Sequence, residues 1–283
     1  EALKTTVVVV PEPTPAPAPE PAAPEFNFIP TVSLAEGGEA ITKGNAWEIF
    51  RANADGSRGE GIATEYEAYK GNLEPGNYVV EARVSEARIE QPVVIEPGKV
   101  TEQHFVLNAG TLKISPKATA GSEPDAGAAD HFIYPGGDWV TYGPTTVVVP
   151  AGEQTVKVNL GEAEVSETFA LKAGEVIEKD IVAGVGVVKV NAFYAPGMKV
   201  EADGIAVNIF EAKKDINGKR KDVAYTFGPD KQFSLPPGDY VVVFKQEGAE
   251  AEAPFTIKTG DSISVDVVMN AGVVAGKHPG YDG

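Results

Sequence analysis

The chain has 283 residues, a formal net charge of −17 and no cysteine, and 42% of its residues are hydrophobic. The acidic balance argues against binding to nucleic acid or anionic membrane surfaces, since both require a basic face. The lack of cysteine excludes disulfides and thiolate metal sites. No apolar run reaches the ~18 residues of a membrane-spanning helix, so no membrane insertion is expected. Because the sequence starts at Glu1 rather than Met, we expect a signal peptide to have been removed. The expected location is secreted, extracellular or on the cell surface, with the periplasm as the alternative.

The first 25 residues form a leader of unusual composition. Residues 1–10 end in a run of valines and predict a short strand. Proline alternates with other residues from Pro11 to Pro24, which favours an extended spacer of roughly 40 Å at about 3.1 Å per residue. Two interpretations stay open: a disordered leader, or a tethered strand that pairs with another surface. In the second, the subunit-contact residues are Thr5, Thr6, Val7, Val8, Val9 and Val10.

One cassette is written three times: a turn followed by an alternating strand, a second turn and a closing strand. The glycines of the first turn are Gly76, Gly152 and Gly238, and those of the second are Gly98, Gly174 and Gly260. Both sets are spaced 76 and then 86 residues apart. Two landmarks that shift together mark a true repeat, and a repeat determines the architecture before other arguments apply.

Repeats 1 and 3 have matching strand patterns. Repeat 1 covers residues 26–110, with strands predicted at 28–34, 46–52, 63–69, 73–84, 87–95 and 100–107. Repeat 3 covers residues 185–272, with strands predicted at 187–194, 206–212, 222–227, 232–246, 251–257 and 262–269. Short alternating strands between Gly, Pro, Asn and Asp turns are typical of an antiparallel sandwich.

Repeat 2, residues 111–184, is shorter and more divergent. Its segment 120–129 predicts a loop, and Phe132, Tyr134, Trp139 and Tyr142 predict its aromatic core. A tail, residues 273–283, follows the third repeat. Linkers of zero to two residues between repeats leave little freedom, so we expect a stiff rod of stacked domains.

The pattern Leu-x-Pro-Gly-x-Tyr-x-Val at 73–80 and 235–242 resembles bacterial prealbumin-like modules of the Cna-B and carboxypeptidase-regulatory-like types. Such modules occur in secreted bacterial surface proteins. The resemblance covers repeats 1 and 3 and, more weakly, repeat 2. With the repeat, it implies an all-β chain of three tandem Ig-like or prealbumin-like antiparallel β-sandwiches in a rod, preceded by an extended Pro-rich arm. It is specific for fold rather than for function.

Some Cna-B modules carry a Lys–Asn isopeptide bond promoted by a buried carboxylate. In repeat 3, Lys189 and Asn270 stand at suitable positions, but the strand segment Tyr240–Phe244 has no acid to promote the bond. Repeat 2 has Lys113 but closes with Val182, and repeat 1 has Asn108 without a lysine on its first strand. Each repeat lacks a part, so we do not expect the cross-link and expect the asparagines to cap turns.

No enzyme is predicted. Catalysis needs a poised acid, base or nucleophile, and His104, His131 and His278 stand in different segments without a nucleophile motif. The sequence contains no Gly-x-Ser-x-Gly, P-loop or His-Glu-x-x-His pattern. No cofactor is expected.

Two further kinds of site deserve weighing. Segments 53–57 and 215–218 resemble half of a calcium loop. Asp-Gly and Asn-Gly between alternating strands are also the strongest hairpin signal, which favours turns over calcium. Four aromatic residues are candidates for a sugar-stacking face, although aromatics in such strands more often form core: Trp47, Trp139, Tyr142 and Tyr225.

Together these features favour an exported bacterial structural protein, a subunit of an extracellular fibre or stalk. In the sharper version, residues 5–10 add a strand to a sheet of a neighbouring subunit. Head-to-tail self-association of this kind does not close and gives filaments. The alternative is a surface adhesin or binding module in which repeat 2 recognises a glycan or a host protein. A third hypothesis is a periplasmic spacer whose leader separates the rod from an envelope anchor.

Overall fold

The computed structural model describes residues 24–201 and 203–269. Every helix or strand element in these ranges is a β-strand, so the all-β prediction is confirmed. No helix here could cross a membrane. The strands form three sandwiches in chain order, each with its own hydrophobic core. The predicted contact strand at 5–10 and the tail at 273–283 lie outside the described residues.

Repeat 1 has a sheet of four strands facing a sheet of two. Its strands are β1 Phe28–Ser33, β2 Asn45–Ala52, β3 Arg58–Tyr66, β4 Gly76–Val84, β5 Ala87–Ile95 and β6 Thr101–Val106. The larger sheet has the order β3-β2-β4-β5, and the smaller contains β1 and β6. Strand β3 begins at Arg58 rather than at 63, because the turn at 53–57 returns the chain directly alongside β2.

Repeat 2 has sheets of four and three strands. Its strands are β7 Ala109–Lys117, β8 Ala129–Tyr134, β9 Gly137–Tyr142, β10 Thr145–Pro150, β11 Gly152–Leu160, β12 Ala163–Leu171 and β13 Val176–Val182. The sheet orders are β12-β11-β8-β9 and β10-β7-β13. Phe132 is buried, but Tyr142 is 69% exposed, so its predicted place in the core is wrong. It lies on an edge strand with its side chain on the outer face.

Repeat 3 repeats this plan. Its strands are β14 Gly186–Ala195, β15 Met198–Lys199, β16 Ala206–Lys214, β17 Arg220–Phe227, β18 Asp230–Leu235, β19 Gly238–Gln246, β20 Ala249–Ile257 and β21 Ser262–Val268. The larger sheet is β17-β16-β19-β20, and β14 pairs with β15, β18 and β21. The segment predicted as one strand at 232–246 is two strands in different sheets. Pro236 and Pro237 separate them because proline cannot donate to a ladder.

The sandwiches are mostly antiparallel, but each contains one parallel pair. The first and last strands of every repeat run side by side in the same direction: β1 with β6, β7 with β13, and β14 with β21. The registers are equivalent, since Phe28 faces Thr101, Leu112 faces Ile177 and Val188 faces Ile263. The first and last strands of each repeat are therefore neighbours in its smaller sheet.

The cassette residue after the Pro-Gly turn holds the corner between the two sheets. Tyr78 and Tyr240 are buried, and their hydroxyls donate to the carbonyls of Glu74 and Pro236 at 2.7 and 2.9 Å. In divergent repeat 2 the same position is Gln154, whose amide donates to the Pro150 carbonyl at 2.9 Å. The hydrogen bond to the fourth residue back is thus retained where the aromatic ring is not.

Candidate subunit-contact surfaces

Unpaired strand edges are the surfaces that can receive an added strand. In the larger sheets of repeats 1 and 3, one of the two edges is blunted by proline: Pro92 in β5 and Pro254 in β20 face valines of the neighbouring strands at equivalent positions. The register of each hairpin points these residues' nitrogens outward, so each proline removes one outward N–H donor.

The corresponding edge of repeat 2 has no such block. Strand β12 pairs with β11 over nine residue pairs, and Thr168 occupies the position of the two prolines. Its hairpin register turns the backbone of Glu164, Ser166, Thr168 and Ala170 away from β11. Among the described residues, β12 is therefore a nine-residue outer edge that keeps all its outward donors. The opposite edges β3 and β17 also lack proline, but register shifts interrupt their pairing, and such irregularities blunt an edge.

The smaller sheet of repeat 1 lacks the third strand that repeats 2 and 3 possess. On the side of β1 away from β6 there is only an isolated bridge between Phe28 and Gly71. Pro30 has no N–H for that side, and the Val32 carbonyl already accepts from the Ile41 nitrogen at 2.7 Å. Proline and the following loop thus close the gap, and β1 is a poor acceptor for another strand.

The open edges of the two sheets lie next to each other on one side of each sandwich. In repeat 1, Gln103 of β6 donates to Gln91 of β5 at 2.8 Å. At the equivalent positions of repeat 2, Lys179 of β13 forms an ion pair with Glu167 of β12 and lies over the Phe169 ring, 5.1 Å from its centroid. These side-chain contacts close the sandwich without using the outward backbone groups of β12.

The outer faces of the larger sheets differ between repeats. In repeat 1, Arg58 forms ion pairs with Glu81 and Glu90, and at the equivalent position of repeat 3 Arg220 binds Glu252 at 2.8 Å. Repeat 2 instead exposes three apolar side chains on β8 and β9, around the His131–Asp138 pair on the same face. These side chains are Ile133, Val140 and Tyr142, exposed by 37%, 53% and 69%.

Consecutive repeats are joined by very short segments. Only Leu107 and Asn108 separate β6 from β7, and residues 183–185 separate β13 from β14. The hairpin between the last two strands of each larger sheet then contacts the next repeat. The Glu86 nitrogen donates to the Val148 carbonyl of β10 at 3.0 Å, and the Glu162 nitrogen donates to the Ser234 carbonyl of β18 at 3.0 Å.

A second contact recurs at both junctions. A Cβ added at Gly174 would lie 3.2 Å from the Ala35 Cβ of repeat 1. A Cβ added at Gly260 would lie 3.7 Å from Thr119 Cγ2 of repeat 2. Ala35 and Thr119 each stand seven residues past the equivalent positions Phe28 and Leu112. The two junctions therefore use the same positions of the repeat.

The structure brings together one side-chain pair that sequence patterns do not reveal. Ser33 Oγ lies 3.0 Å from His104 Nε2, and Thr31 Oγ1 lies 2.8 Å from His104 Nδ1. Ser33 is fully buried and donates to the Ala35 carbonyl, and no carboxylate orients the imidazole. A buried serine without access to substrate cannot act as a nucleophile, so this cluster links β1 to β6.

The remaining candidate residues are placed as follows. In the turn at 53–57, Asp55 accepts from the Ser57 hydroxyl and nitrogen, and these bonds lower the pKa of the carboxyl. In the other turn, Asp215 accepts from the nitrogens of Asn217 and Lys219. Both are hairpin turns, and the described residues contain no group of three or more His, Asp or Glu suited to a metal.

The proposed sugar-stacking and cross-linking residues do not assemble. Trp47 is buried in repeat 1, while Tyr142 and Tyr225 are exposed in repeats 2 and 3. The four aromatics therefore form no single face. Lys189 points to solvent, and Lys113 pairs with Glu178 at the surface. Asn270 lies outside the described residues.

No family model and no curated protein sequence matches the chain. Among solved structures, the Bacillus anthracis TIE protein is 18% identical with a TM-score of 0.25, and the match covers 86% of this chain and 51% of that one. The streptococcal ancillary pilin is 10% identical with a TM-score of 0.30, covering 85% and 98%. The major pilin subunit BcpA of Bacillus cereus is 14% identical with a TM-score of 0.20, covering 86% and 98%.

These likenesses are too distant to carry a functional argument. The chain spans about half the length of the TIE protein chain that it matches. The assignment of three tandem β-sandwiches rests on the chain's own strand pairing, and the finer Cna-B or carboxypeptidase-regulatory type stays a prediction.

Proposed function

We propose that this chain is an exported, non-enzymatic structural protein that works as a subunit of an extracellular fibre or stalk. The observation that carries the proposal is the pair of equivalent junctions. Each has a linker of two or three residues and the same two contacts between repeats. Such junctions suit a rod that transmits length and stiffness rather than a hinge that closes on a substrate.

In this proposal the leader makes the contact between subunits. Residues 5–10 add a strand to a neighbouring copy, where backbone hydrogen bonds supply affinity. The acceptor edge that fits best is β12, because β5 and β20 carry Pro92 and Pro254 where β12 has Thr168. The four consecutive valines at residues 7–10 suit a strand that is buried on both faces.

Deletion of residues 1–25 tests this mechanism. The shortened chain should stay folded by circular dichroism and give no fibres in negative-stain images. A matched variant keeps the full leader length but replaces residues 7–10 with serine, and it should also fail to assemble. Fibres of normal length from either variant would refute strand donation.

One observation favours a second candidate, a surface adhesin or binding module centred on repeat 2. The exposed side chains of Ile133, Val140 and Tyr142 surround a single His131–Asp138 pair, whereas the other repeats have ion pairs built on Arg58 and Arg220. Single exposed apolar residues are common, but clustered ones mark interaction sites. Binding on a glycan array or in a host-protein pull-down should be lost in Val140→Ser/Tyr142→Ser. Binding unaffected by this change would exclude this surface.

A further inference from the structure

The two internal junctions define a pair of complementary end surfaces. The preceding repeat supplies one half: the tip of the hairpin that joins the last two strands of its larger sheet, and a residue just past its first strand. The other half is the carbonyl of the small-sheet edge together with the glycine of the second turn. In the two junctions these halves are Glu86 and Ala35 against Val148 and Gly174, and Glu162 and Thr119 against Ser234 and Gly260.

The same halves are present at the outer ends without a partner among the described residues. Repeat 1 offers the Asn72 carbonyl and Gly98, at the positions of Ser234 and Gly260. Asn72 lies beside the Phe28–Gly71 bridge rather than in a third strand, and its side chain donates to the Glu25 carbonyl at 2.8 Å. A Cβ at Gly98 would meet nothing within 4 Å. Repeat 3 offers the tip Glu247-Gly248, the equivalent of Gly161-Glu162. Its position equivalent to Ala35 and Thr119 is Ala195, the last residue of β14, which pairs with Met198 of β15.

Residues at the internal junctions are more buried than their equivalents at the outer ends, because the neighbouring repeat covers them. Val148, Ser234, Ala35 and Thr119 are half-buried at the internal junctions, and the outer equivalents Asn72 and Ala195 are exposed. Beside Ala195, Tyr194 is 38% exposed. The residues at its position in repeats 1 and 2, Leu34 and Ala118, are half-buried against their cores.

We propose that the free hairpin tip of repeat 3 docks on the free end of repeat 1 of a second copy, continuing the internal junction from one molecule to the next. This rests on the proposed self-associating subunit and specifies its contact surfaces. The two halves lie on opposite ends of the chain, so the contact is head-to-tail and does not close. Each added copy presents a new tip, so the product is a filament. Its copies are joined by the same contacts as the repeats within one chain.

The free tip differs from the internal tips in one backbone feature. Gly248 has φ of +85°, whereas Glu86 and Glu162 are outside the left-handed region. Glycine moves between these conformations without a Cβ penalty. Gly248 can therefore adopt the φ of Glu86 and Glu162 when the tip docks at the Asn72 carbonyl.

The leader supplies what a small tip contact lacks. Two linked contacts raise the effective concentration of each, so the tip contact and the donated strand reinforce one another.

The absence of native cysteine makes paired cysteines a direct test. Oxidation of the full-length variant Asn72→Cys/Glu247→Cys should give a ladder of disulfide-linked oligomers on a non-reducing gel. Ser85→Cys/Val148→Cys is the matched internal pair and should close within one molecule. Asn72→Cys/Ile216→Cys places the second cysteine in a fully exposed turn away from the tip and should give only the shorter ladder that random collision of exposed thiols produces.

A ladder no longer than that of the Ile216 control, with the internal pair closed, overturns the proposed contact. A second readout does not depend on disulfide geometry. Asn72→Trp should shorten fibres at least tenfold, and Asn77→Trp, an exposed asparagine on β4, should leave them unchanged. If the Asn72→Trp variant forms fibres of wild-type length, the proposed end contact is wrong and the proposed fibre function is unaffected. A wild-type chain that forms no fibres and stays monomeric in sedimentation would remove both.

Discussion

Asp130 is the residue whose environment conflicts most with its chemistry. It faces Val158 across the sheet, the position that Trp47 and Val207 occupy in the other repeats. It is fully buried, neither carboxylate oxygen has a hydrogen-bond partner among the described residues, and burial raises its pKa to about 7. A buried carboxyl without a partner favours its neutral form because the charged form loses its hydration.

Replacing Asp130 should therefore change the pH dependence of repeat 2. The pKa of Asp130 is higher in the folded state than in the unfolded state. The free energy of unfolding of repeat 2 is therefore highest below about pH 4, and it falls as pH rises toward about 7. The rise of the Asp130 pKa from 3.8 to about 7 corresponds to about 4 kcal/mol. Asp130→Val should gain on the wild type by up to this amount between pH 4 and 8. Urea titrations followed by Trp139 fluorescence in a Trp47→Phe background measure the difference, and a gain independent of pH would contradict the assignment.

The corner tyrosine gives a second prediction at the residue scale. Tyr78→Phe keeps the buried ring and removes only the hydroxyl that donates to Glu74. The Glu74 carbonyl then loses its partner, and repeat 1 should lose about 1 kcal/mol. Trp47 fluorescence in a Trp139→Phe background reports unfolding of this repeat. Tyr66→Phe, at a ring that is 67% exposed, is the control and should have no measurable effect.

At the scale of single elements, the backbone direction of β12 decides what proline does there. The backbone N–H of Thr168 points away from β11. Proline at this position therefore removes only a solvent-facing donor and the hydroxyl contact between Thr168 and Thr155. Thr168→Pro should therefore cost repeat 2 no more than about 1 kcal/mol. Glu167, one residue earlier, directs its N–H to β11, and Glu167→Pro should cost about 3 kcal/mol or more. Urea titrations of both variants compare them, and equal losses would mean that the edge register is different.

The elements also show which parts of the pattern were readable in advance. Strand β5 and the cassette turns follow directly from alternation and from Pro-Gly and Asn-Gly chemistry. The sequence pattern joined β18 and β19 because both are apolar and adjacent. Only the corner at Pro236 and Pro237 sends them to opposite sheets. The parallel pairing of first and last strands was also missed, since residues some 70 positions apart leave no local signal.

At the scale of the whole molecule, the junction between repeats 2 and 3 depends on Gly161. A Cβ there would lie 2.3 Å from the Ser234 carbonyl oxygen and 2.6 Å from its Cβ. Gly161→Ala should push the tip away from β18 and expose residues 183–185. Limited proteolysis with mapped cleavage sites should then show several-fold faster cutting in this segment.

The matched control for that variant is Gly136→Ala in the same repeat. Gly136 also has a positive φ, of +90°, but an added Cβ would meet nothing within 4 Å. Gly136→Ala therefore introduces the same kind of backbone strain as Gly161→Ala, but no steric clash with a neighbouring repeat. Faster junction cleavage in Gly136→Ala as well would attribute the effect to loss of stability in repeat 2 rather than to an opened junction.

The sequence by itself determined the number of repeats, the strand class and the position of the corners. Each of these depends on residues close together in the chain: the alternation of side chains, the proline and glycine of the turns, and glycines that shift in step. Tertiary structure alone decided the parallel strand pairs, the burial of Asp130, the proline-free edge of β12 and the contacts between repeats. Those depend on which distant segments meet and in what register, because hydrogen bonds and packing between them form only once the sandwich has closed.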